Sequence, residues 1–311
     1  GVTATAMSLL GWAPGYWGLV ALLLIAGLSV AAFHATAPVA VGYLSGDRMG
    51  RGMGFWMVGG ELGRTLGPLV VVSALAVMSL RSMAFLALAG ITASITLHFR
   101  LRDVPLRTRG DGARVHWRPA VREMRGLMAL LGGIIALRSL MVMATTVFLP
   151  IFLTENGSGT WLAGAALSIV EAAGMAGALS GGWISDHLGR RSILLFGHVV
   201  APVALLVFVA GEGWIRIATL PLIGFSLLAA PPVMMALVQE SFPETRALAN
   251  GVYLSMNFAI RSVAAIAYGA VGDALGLPTA AVIAAMAMFA GLPLILLLFR
   301  RPAAAHHPNH L

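Results

Sequence analysis

The amino-acid sequence predicts an all-α membrane protein with several transmembrane helices. Of its 311 residues, 59% are hydrophobic and only 10% are charged, whereas soluble globular domains carry about 25% charged residues. Apolar stretches of about 20 residues, the length that a helix needs to cross a bilayer, recur along the chain. Together these observations exclude a single water-soluble domain and favour a polytopic helical protein.

Hydrophobic periodicity predicts nine full spans, preceded by an apolar stub at residues 1–12 that is too short to cross. Because no basic residues precede the stub and the chain does not begin with Met, we expect an N-terminal truncation rather than a signal peptide. The predicted spans lie at about 16–41, 53–79, 83–99, 127–153, 160–184, 192–211, 214–238, 248–271 and 279–299.

The loops differ in charge from one side of the predicted membrane to the other. One set of alternate loops contains only Arg81 and Arg216. By the positive-inside rule, the Arg-rich loops are cytoplasmic, which predicts a cytoplasmic C-terminus. The Arg-rich set contains Arg48, Arg51, the eight Arg residues from Arg100 to Arg125, Arg190, Arg191, Arg246, Arg300 and Arg301.

The longest predicted loop, residues 100–126, divides the chain into two parts. Residues 1–99 contain three spans and the stub, and residues 127–300 contain six spans, followed by a cytoplasmic tail at 301–311. The loop is rich in Arg and fits a solvated segment near anionic lipid headgroups. We therefore interpret the net charge of +8 as contact with membrane lipid and not with nucleic acid.

Two absent residue types exclude several kinds of chemistry. The chain has no Cys, so it has no disulfide, thiolate nucleophile or cysteine metal site. The chain also has no Lys, since all 20 of its Lys and Arg residues are Arg. This excludes a P-loop and a Schiff base, both of which need a Lys. We find no catalytic triad and expect neither an enzyme nor a cofactor. His306, His307 and His310 lie in a short tail that we expect to be disordered, and the sequon at 156–158 fits chance occurrence.

The hairpin after the 160–184 span has a specific pattern, Gly-x-x-x-Asp-x-x-Gly-Arg-Arg. Gly182 permits close helix approach, Asp186 can meet a helix N-terminus, and the Arg pair lies at the cytoplasmic face. An ordinary tight turn is the simpler alternative. The pattern resembles the signature of the major facilitator superfamily, which joins the second and third helices of each six-helix half. Its residues are Gly182, Asp186, Gly189, Arg190 and Arg191.

This resemblance implies twelve helices, of which the chain would contain the end of the third to the twelfth. The stretches Phe33–Pro38 and Val58–Pro68 together resemble the fosmidomycin-resistance branch of this superfamily. The end of the second stretch, from Gly63 to Pro68, also resembles the proline motif of drug–proton antiporters. Two departures weaken the subfamily assignment and the inference of antiport. Ala35 follows His34 where that branch has Pro, and Val71 with Val72 replaces the paired glycines of the antiporter motif.

Five charged residues fall near the middle of predicted spans. Each would be costly facing lipid, so they should face a cavity or one another. A structural ion pair, above all between neighbours on one helix face, is the alternative to a substrate or proton site. Arg suits bidentate capture of an anion, and the +1 balance of the five favours an anionic or zwitterionic substrate. They are Glu61, Arg64, Arg138, Glu171 and Arg261.

Other residues in the spans are weaker candidates. Glu171 is the first candidate for a proton carrier, and His34 is a second, although a lone His more often packs or forms a hydrogen bond. Asn250 and Asn257 suit either substrate binding or contacts between helices. Pro231 and its neighbour Pro232 should kink their helix and free backbone carbonyls. Two ridges of small residues predict close helix packing: Gly59, Gly63 and Gly67 form one, and Gly177 and Gly181 the other.

The resemblance to the major facilitator superfamily implies a monomeric secondary active transporter of the bacterial inner membrane that works by alternating access. Together with the charged residues it predicts export of a small, anionic compound or drug in exchange for protons. Substrate would bind near Arg138, with the Gly182–Arg191 hairpin as a gate. An importer of an organic anion and a non-transporting receptor or scaffold of the same fold remain alternatives. The buried charges favour transport over a scaffold, since a scaffold has no need of them.

Overall fold

The computed structural model describes residues 1–102, 117–155, 157 and 160–300. Side chains are described in these ranges except at residues 64, 65, 67–69, 72, 73 and 160–164. Several sequence predictions therefore lie outside the described residues. They are the loop at 103–116, the sequon positions Asn156 and Ser158, the tail at 301–311 with its three His residues, and the side chain of Arg64.

Every long regular element of the described residues is an α-helix, with 3₁₀ turns at 10–12, 46–48 and 81–85. Helices α5 and α6 form one continuous rod through a π-helical turn at Ala144–Phe148. The helices are α1 (Val2–Ser8), α2 (Gly15–Ser45), α3 (Met49–Val77), α4 (Leu86–Leu101), α5 (Trp117–Met143), α6 (Leu149–Glu155), α7 (Thr160–Leu188), α8 (Arg190–Ala210), α9 (Trp214–Ser241), α10 (Arg246–Leu275), α11 (Leu277–Phe289) and α12 (Gly291–Leu298).

The predicted all-α membrane fold is confirmed. Among the described residues, eight stretches are long and apolar enough to cross a membrane. The first, Gly15–Gly63, contains both α2 and the start of α3. The chain turns between these two helices at Gly46, where φ is +51°. The described helices thus account for all nine predicted spans.

The helix ends differ from the prediction in two places. Helix α5 begins at Trp117, so residues 117–126, predicted as part of the long loop, are helical. The last predicted span is interrupted between α11 and α12 near Ala290. Pro293 explains that interruption, since it has no N–H to donate to the carbonyl four residues earlier.

We call residues 1–102 the N-terminal segment and residues 117–300 the C-terminal segment. One core cluster lies within the C-terminal segment, between α5, α8, α9 and α11. A second cluster joins Met49 and Met53 of α3 to buried residues of α5, α8, α9 and α10. The two segments therefore share a hydrophobic core, and it lies at the beginning of α3.

The segments meet at the end of the bundle where α2 turns into α3 and α7 turns into α8. The guanidinium of Arg246, at the start of α10, lies 5.1 Å from the ring of Tyr43 near the end of α2. We call this end of the bundle the basic side, because the helix termini there carry Arg48, Arg51, Arg190, Arg191 and Arg246.

The two predicted ridges of small residues behave differently. A Cβ atom at Gly177 or Gly181 would overlap α9, at Phe225 and Ala229, so this ridge does permit close packing of α7 on α9. A Cβ atom at Gly59 or Gly63 would meet nothing within 4 Å. The predicted packing of α3 through these two glycines is therefore wrong for the described residues.

Candidate functional site

The carboxylate of Asp186 caps the N-terminus of α3. Its Oδ1 atom accepts a hydrogen bond of 2.9 Å from the backbone N–H of Gly50, and its Oδ2 atom accepts one of 2.9 Å from the backbone N–H of Arg51. The first N–H groups of a helix have no partner within the helix and attract an anion. Asp186 thus connects the α7–α8 turn to the other segment, as the sequence predicted for a helix N-terminus.

Arg190 extends this contact into a network of charges. Its guanidinium lies 2.7 Å from Asp186 Oδ1 and 2.5 Å from Glu240 Oε1, at the end of α9. The same guanidinium donates a hydrogen bond to the hydroxyl of Ser185. The backbone bends for this arrangement at Gly189, where φ is +84°. Arg191 is exposed.

Two glycines allow the helices to come close enough for this capping. A Cβ atom at Gly182 would overlap the backbone carbonyl of Gly50, and a Cβ atom at Gly50 would overlap that of Gly182. The sequence pattern predicted the role of Gly182. Gly50 and Glu240 were not predicted, because nothing near them in the sequence indicates which helix the hairpin meets. We call Gly50, Gly182, Asp186, Arg190 and Glu240 the hairpin network.

Arg138 lies deeper, on α5, and is bound to the backbone of α9. Its Nη2 and Nε atoms donate hydrogen bonds of 2.9 and 3.3 Å to the carbonyl of Leu227. That carbonyl is free to accept them because Pro231, four residues later, has no N–H. The predicted release of carbonyls by the proline pair is thus observed, and a guanidinium occupies one of them.

Further charged and polar groups surround Arg138, whose side chain is only 6% exposed. Arg261 of α10, Tyr253 of α10 and Glu61 of α3 are all close enough to interact with it electrostatically. Glu61 is 4% exposed and, like Arg261, is engaged in a polar or electrostatic interaction. Asn257 lies beside the hydroxyl of Tyr253. We call Glu61, Arg138, Tyr253, Asn257 and Arg261 the central cluster.

The central cluster brings together four of the residues that the sequence singled out, from both segments. Its formal charge is +1, from two Arg and one Glu. Planar guanidinium groups bind carboxylates and phosphonates in a bidentate manner. The cluster therefore has the chemistry to hold an anion between the segments.

His34 lies on α2 in an aromatic environment. Its Nδ1 atom is 3.0 Å from the carbonyl of Val30 in its own helix. Its ring meets those of Trp56 and Phe258 edge to face, with centroids 6.1 and 6.2 Å apart. These contacts are those of a packing residue, and a part in proton transfer stays a prediction.

Glu171 lies in the middle of α7 and is half-buried. The preceding residue, Val170, packs its backbone against Gly224 of α9. Glu171 is engaged in a polar or electrostatic interaction, so it is not an isolated charge. Its pairing with an Arg, like any part of Arg64 in the site, stays a prediction.

Comparisons with known proteins agree with this architecture. The model of the Major Facilitator Superfamily matches residues 1–225 and 182–310. The fosmidomycin resistance protein of Escherichia coli (strain K12) is 24% identical over 278 residues, which are 87% of this chain and 68% of that protein. An uncharacterised transporter of the family from Bacillus subtilis (strain 168) is 23% identical over 296 residues, 91% of this chain and 72% of its own.

Solved structures show the same fold. The fucose:proton symporter of Escherichia coli matches with a TM-score of 0.75 at 14% identity, over 96% of this chain and 80% of that one. A bacterial homologue of the iron transporter ferroportin, in an outward-facing state, matches with a TM-score of 0.68 at 17% identity, also over 96% and 80%. The relatives indicate a transporter and not an enzyme. The chain belongs to the Major Facilitator Superfamily of membrane transporters.

Proposed function

We propose that the protein exports a small anionic compound in exchange for protons, by alternating access between its two segments. The observation that carries this proposal is the position of the central cluster, where Arg138 of one segment interacts electrostatically with Arg261 of its own segment and with Glu61 of the other. Charges buried in a membrane protein are costly and are retained where they serve a substrate or an ion. A site shared by two segments changes whenever the segments move.

Arg138 is the group that we assign to the substrate, and its present partner is a neutral carbonyl. A carboxylate or phosphonate forms stronger, charge-assisted hydrogen bonds with a guanidinium than a carbonyl does. A bound anion would therefore draw Arg138 away from Leu227. The second cation, Arg261, and the amide of Asn257 lie on α10, and in this proposal they complete the site when substrate binds.

The hairpin network would act as the gate on the basic side, which we propose to be cytoplasmic. In the described conformation Asp186 and Arg190 hold α3 against the α7–α8 turn and α9. Access from the cytoplasm requires that these contacts separate. Because they are charged and near the membrane surface, water can replace them when they do.

Transport can be tested in inside-out vesicles that contain the protein. The name of the Escherichia coli relative makes fosmidomycin the first compound to try. We expect an acidic lumen to drive its accumulation and collapse of the pH gradient to abolish it. Accumulation only in vesicles of the opposite orientation would favour an importer, and binding without transport would favour a receptor or scaffold.

Proton coupling is tested by Glu171→Gln, which resembles the protonated carboxyl group. If Glu171 carries the proton, the variant should bind substrate with little change and lose the response to the pH gradient. Glu212→Gln, at an exposed position outside the membrane core, is the matched control and should respond as the unmodified protein does. Loss of folded Glu171→Gln protein would indicate a structural ion pair. Intact pH-driven transport would exclude Glu171 and direct attention to His34.

A further inference from the structure

Helix α2 contains a proline that leaves one of its backbone carbonyls without a partner inside the helix. Pro38 lies inside the helix and is buried. Because proline has no N–H, the carbonyl of His34, four residues earlier, loses its partner within the helix. A buried carbonyl without a partner is costly, so another group must supply a hydrogen bond.

That hydrogen bond comes from the other segment. The Nδ2 atom of Asn250, near the start of α10, donates to the carbonyl of His34 at 2.8 Å and to that of Ala35 at 3.3 Å. Asn250 is fully buried. An uncharged amide of α10 thus binds the carbonyl that Pro38 leaves without a partner in α2.

A second buried amide contacts the same turn of α2. The Nε2 atom of Gln239, on α9, donates to the carbonyl of Pro38 itself at 3.1 Å. A Cβ atom at Gly42 would overlap the Oε1 atom of Gln239, so glycine is required there for the amide to fit. Two helices of the C-terminal segment therefore bind one turn of α2 through its backbone.

The two amides are only half satisfied. Within the described part of the chain, Oδ1 of Asn250 and Oε1 of Gln239 are buried and have no hydrogen-bond partner. Such atoms regain hydrogen bonds to water once they are exposed. The hydrogen bonds from these amides to α2 are thus opposed by two buried acceptors that favour separation, as a reversible contact requires.

We propose that Asn250 and Gln239 form an amide lock between the segments, which binds the backbone carbonyls of α2 around Pro38 and opens whenever the basic side opens. This inference rests on the proposed alternating access. It is distinct from the hairpin network because neither amide carries a charge. Neither amide changes its protonation in the pH range in which a proton-coupled transporter works.

The lock can be tested without measuring transport, so that failure of the proposed function does not affect the outcome. The chain contains no Cys, and single Cys reporters are therefore unambiguous. Met49→Cys reports on the core that the two segments share, and Ala204→Cys reports on the interior of the C-terminal segment; both positions are buried. Labelling by a maleimide in membranes measures how often each is exposed.

Asn250→Leu preserves the approximate shape of the side chain and removes its donor. We expect labelling at position 49 to become about tenfold faster, because the hydrogen bonds of Asn250 to α2 are lost and the carbonyl of His34 is left unpaired, with labelling at position 204 unchanged. Gln239→Met should act in the same direction. Ser241→Ala is the control, because Ser241 is exposed and donates only to its own helix, at the carbonyl of Leu237. An unchanged rate at position 49 in both lock variants would overturn the proposal, as would equal increases at both reporters.

Pro38→Ala provides a second test, since it returns an N–H to α2 that can bond the carbonyl of His34. In that background Asn250→Leu should change labelling at position 49 by less than about twofold, because its acceptor is already satisfied. An effect of Asn250→Leu that is the same with Pro38 and with Ala at that position would show that Asn250 acts by packing alone and would overturn the inference.

Discussion

The hairpin network and the central cluster both join the two segments, but they do so with different chemistry. At the basic side, Asp186 accepts hydrogen bonds from two backbone N–H groups and pairs with Arg190, while Glu240 remains 39% exposed. In the central cluster, Arg138 donates to a backbone carbonyl and its charge is buried. Charges near water separate at little cost, whereas a buried charge must always keep a partner. The first region suits a gate and the second a binding site.

Prolines create the same kind of contact in the central cluster and in the amide lock. Pro231 frees the carbonyl that binds Arg138, and Pro38 frees the carbonyl that binds Asn250. In each case the acceptor is the residue four positions before the proline, and the donor is a side chain from another helix. A proline inside a helix thus provides a specific backbone acceptor within the membrane, where water is scarce.

The largest effect on stability should come from Arg138→Met, which changes the central cluster and leaves the residues of the hairpin network as they are. The variant leaves the carbonyl of Leu227 unpaired and removes a positive charge that interacts with Glu61. We expect a loss of about 3 kcal/mol in the free energy of unfolding, measured by denaturation in detergent micelles. Adding Pro231→Ala returns an N–H to α9, so it should recover about 1 kcal/mol of that loss.

Pro202→Ala is the matched control for that recovery. It also replaces a proline inside a helix, α8, but the carbonyl that it would satisfy belongs to His198 and not to Leu227. It should recover nothing in the Arg138→Met background. Equal recovery by both proline substitutions would mean that the freed carbonyl of Leu227 is not what Arg138 stabilises.

The sequence predicted the fold and which residues would form contacts between helices. It did not predict which helix each of those residues would contact. Composition and span length were sufficient for the membrane fold, since the bilayer imposes them directly. The pattern around Asp186 also indicated a helix N-terminus. Only the packing shows that this helix is α3, because Gly50 and Asp186 are 136 residues apart in the sequence.

The proline positions show the same limit. Pro231 indicated that carbonyls would be freed, but not that Arg138 would occupy one of them. Asn250 and Gln239 carry no signal in the sequence that separates an inter-helical amide from a substrate ligand. The ridge of Gly59 and Gly63 was misinterpreted because small residues spaced by four indicate only that close packing is permitted, not that a helix is present to use it.

Asp186→Asn should have the next largest effect, and on transport more than on folding. The amide is nearly the same size, but it loses the charge that favours the backbone N–H groups of α3 and the pairing with Arg190. Hydrogen bonds to a charged group contribute about 1.5–3 kcal/mol, so we expect the rate of transport to fall by about tenfold or more while folded protein persists in the membrane.

Its control is Asp273→Asn, which makes the same change at an exposed position near the far end of α10. Transport and protein yield should be unaffected there. If Asp186→Asn also transports at the normal rate, the hairpin is only a turn, and the gate at the basic side would have to depend on the amide lock.

Glu240→Gln should have the smallest effect, although Glu240 makes one of the shortest contacts of the hairpin network, 2.5 Å from the guanidinium of Arg190. Its side chain is 39% exposed, so solvent screens the pair, and the amide oxygen of Gln still accepts a hydrogen bond from Arg190. Exposed ion pairs contribute about 0–1 kcal/mol, and we expect transport to fall by less than about twofold. Measured beside Asp186→Asn, the variant separates capping of α3 from charge pairing alone. A decrease as large as that of Asp186→Asn would contradict this view of the network and would mean that Glu240, by orienting Arg190, controls the gate.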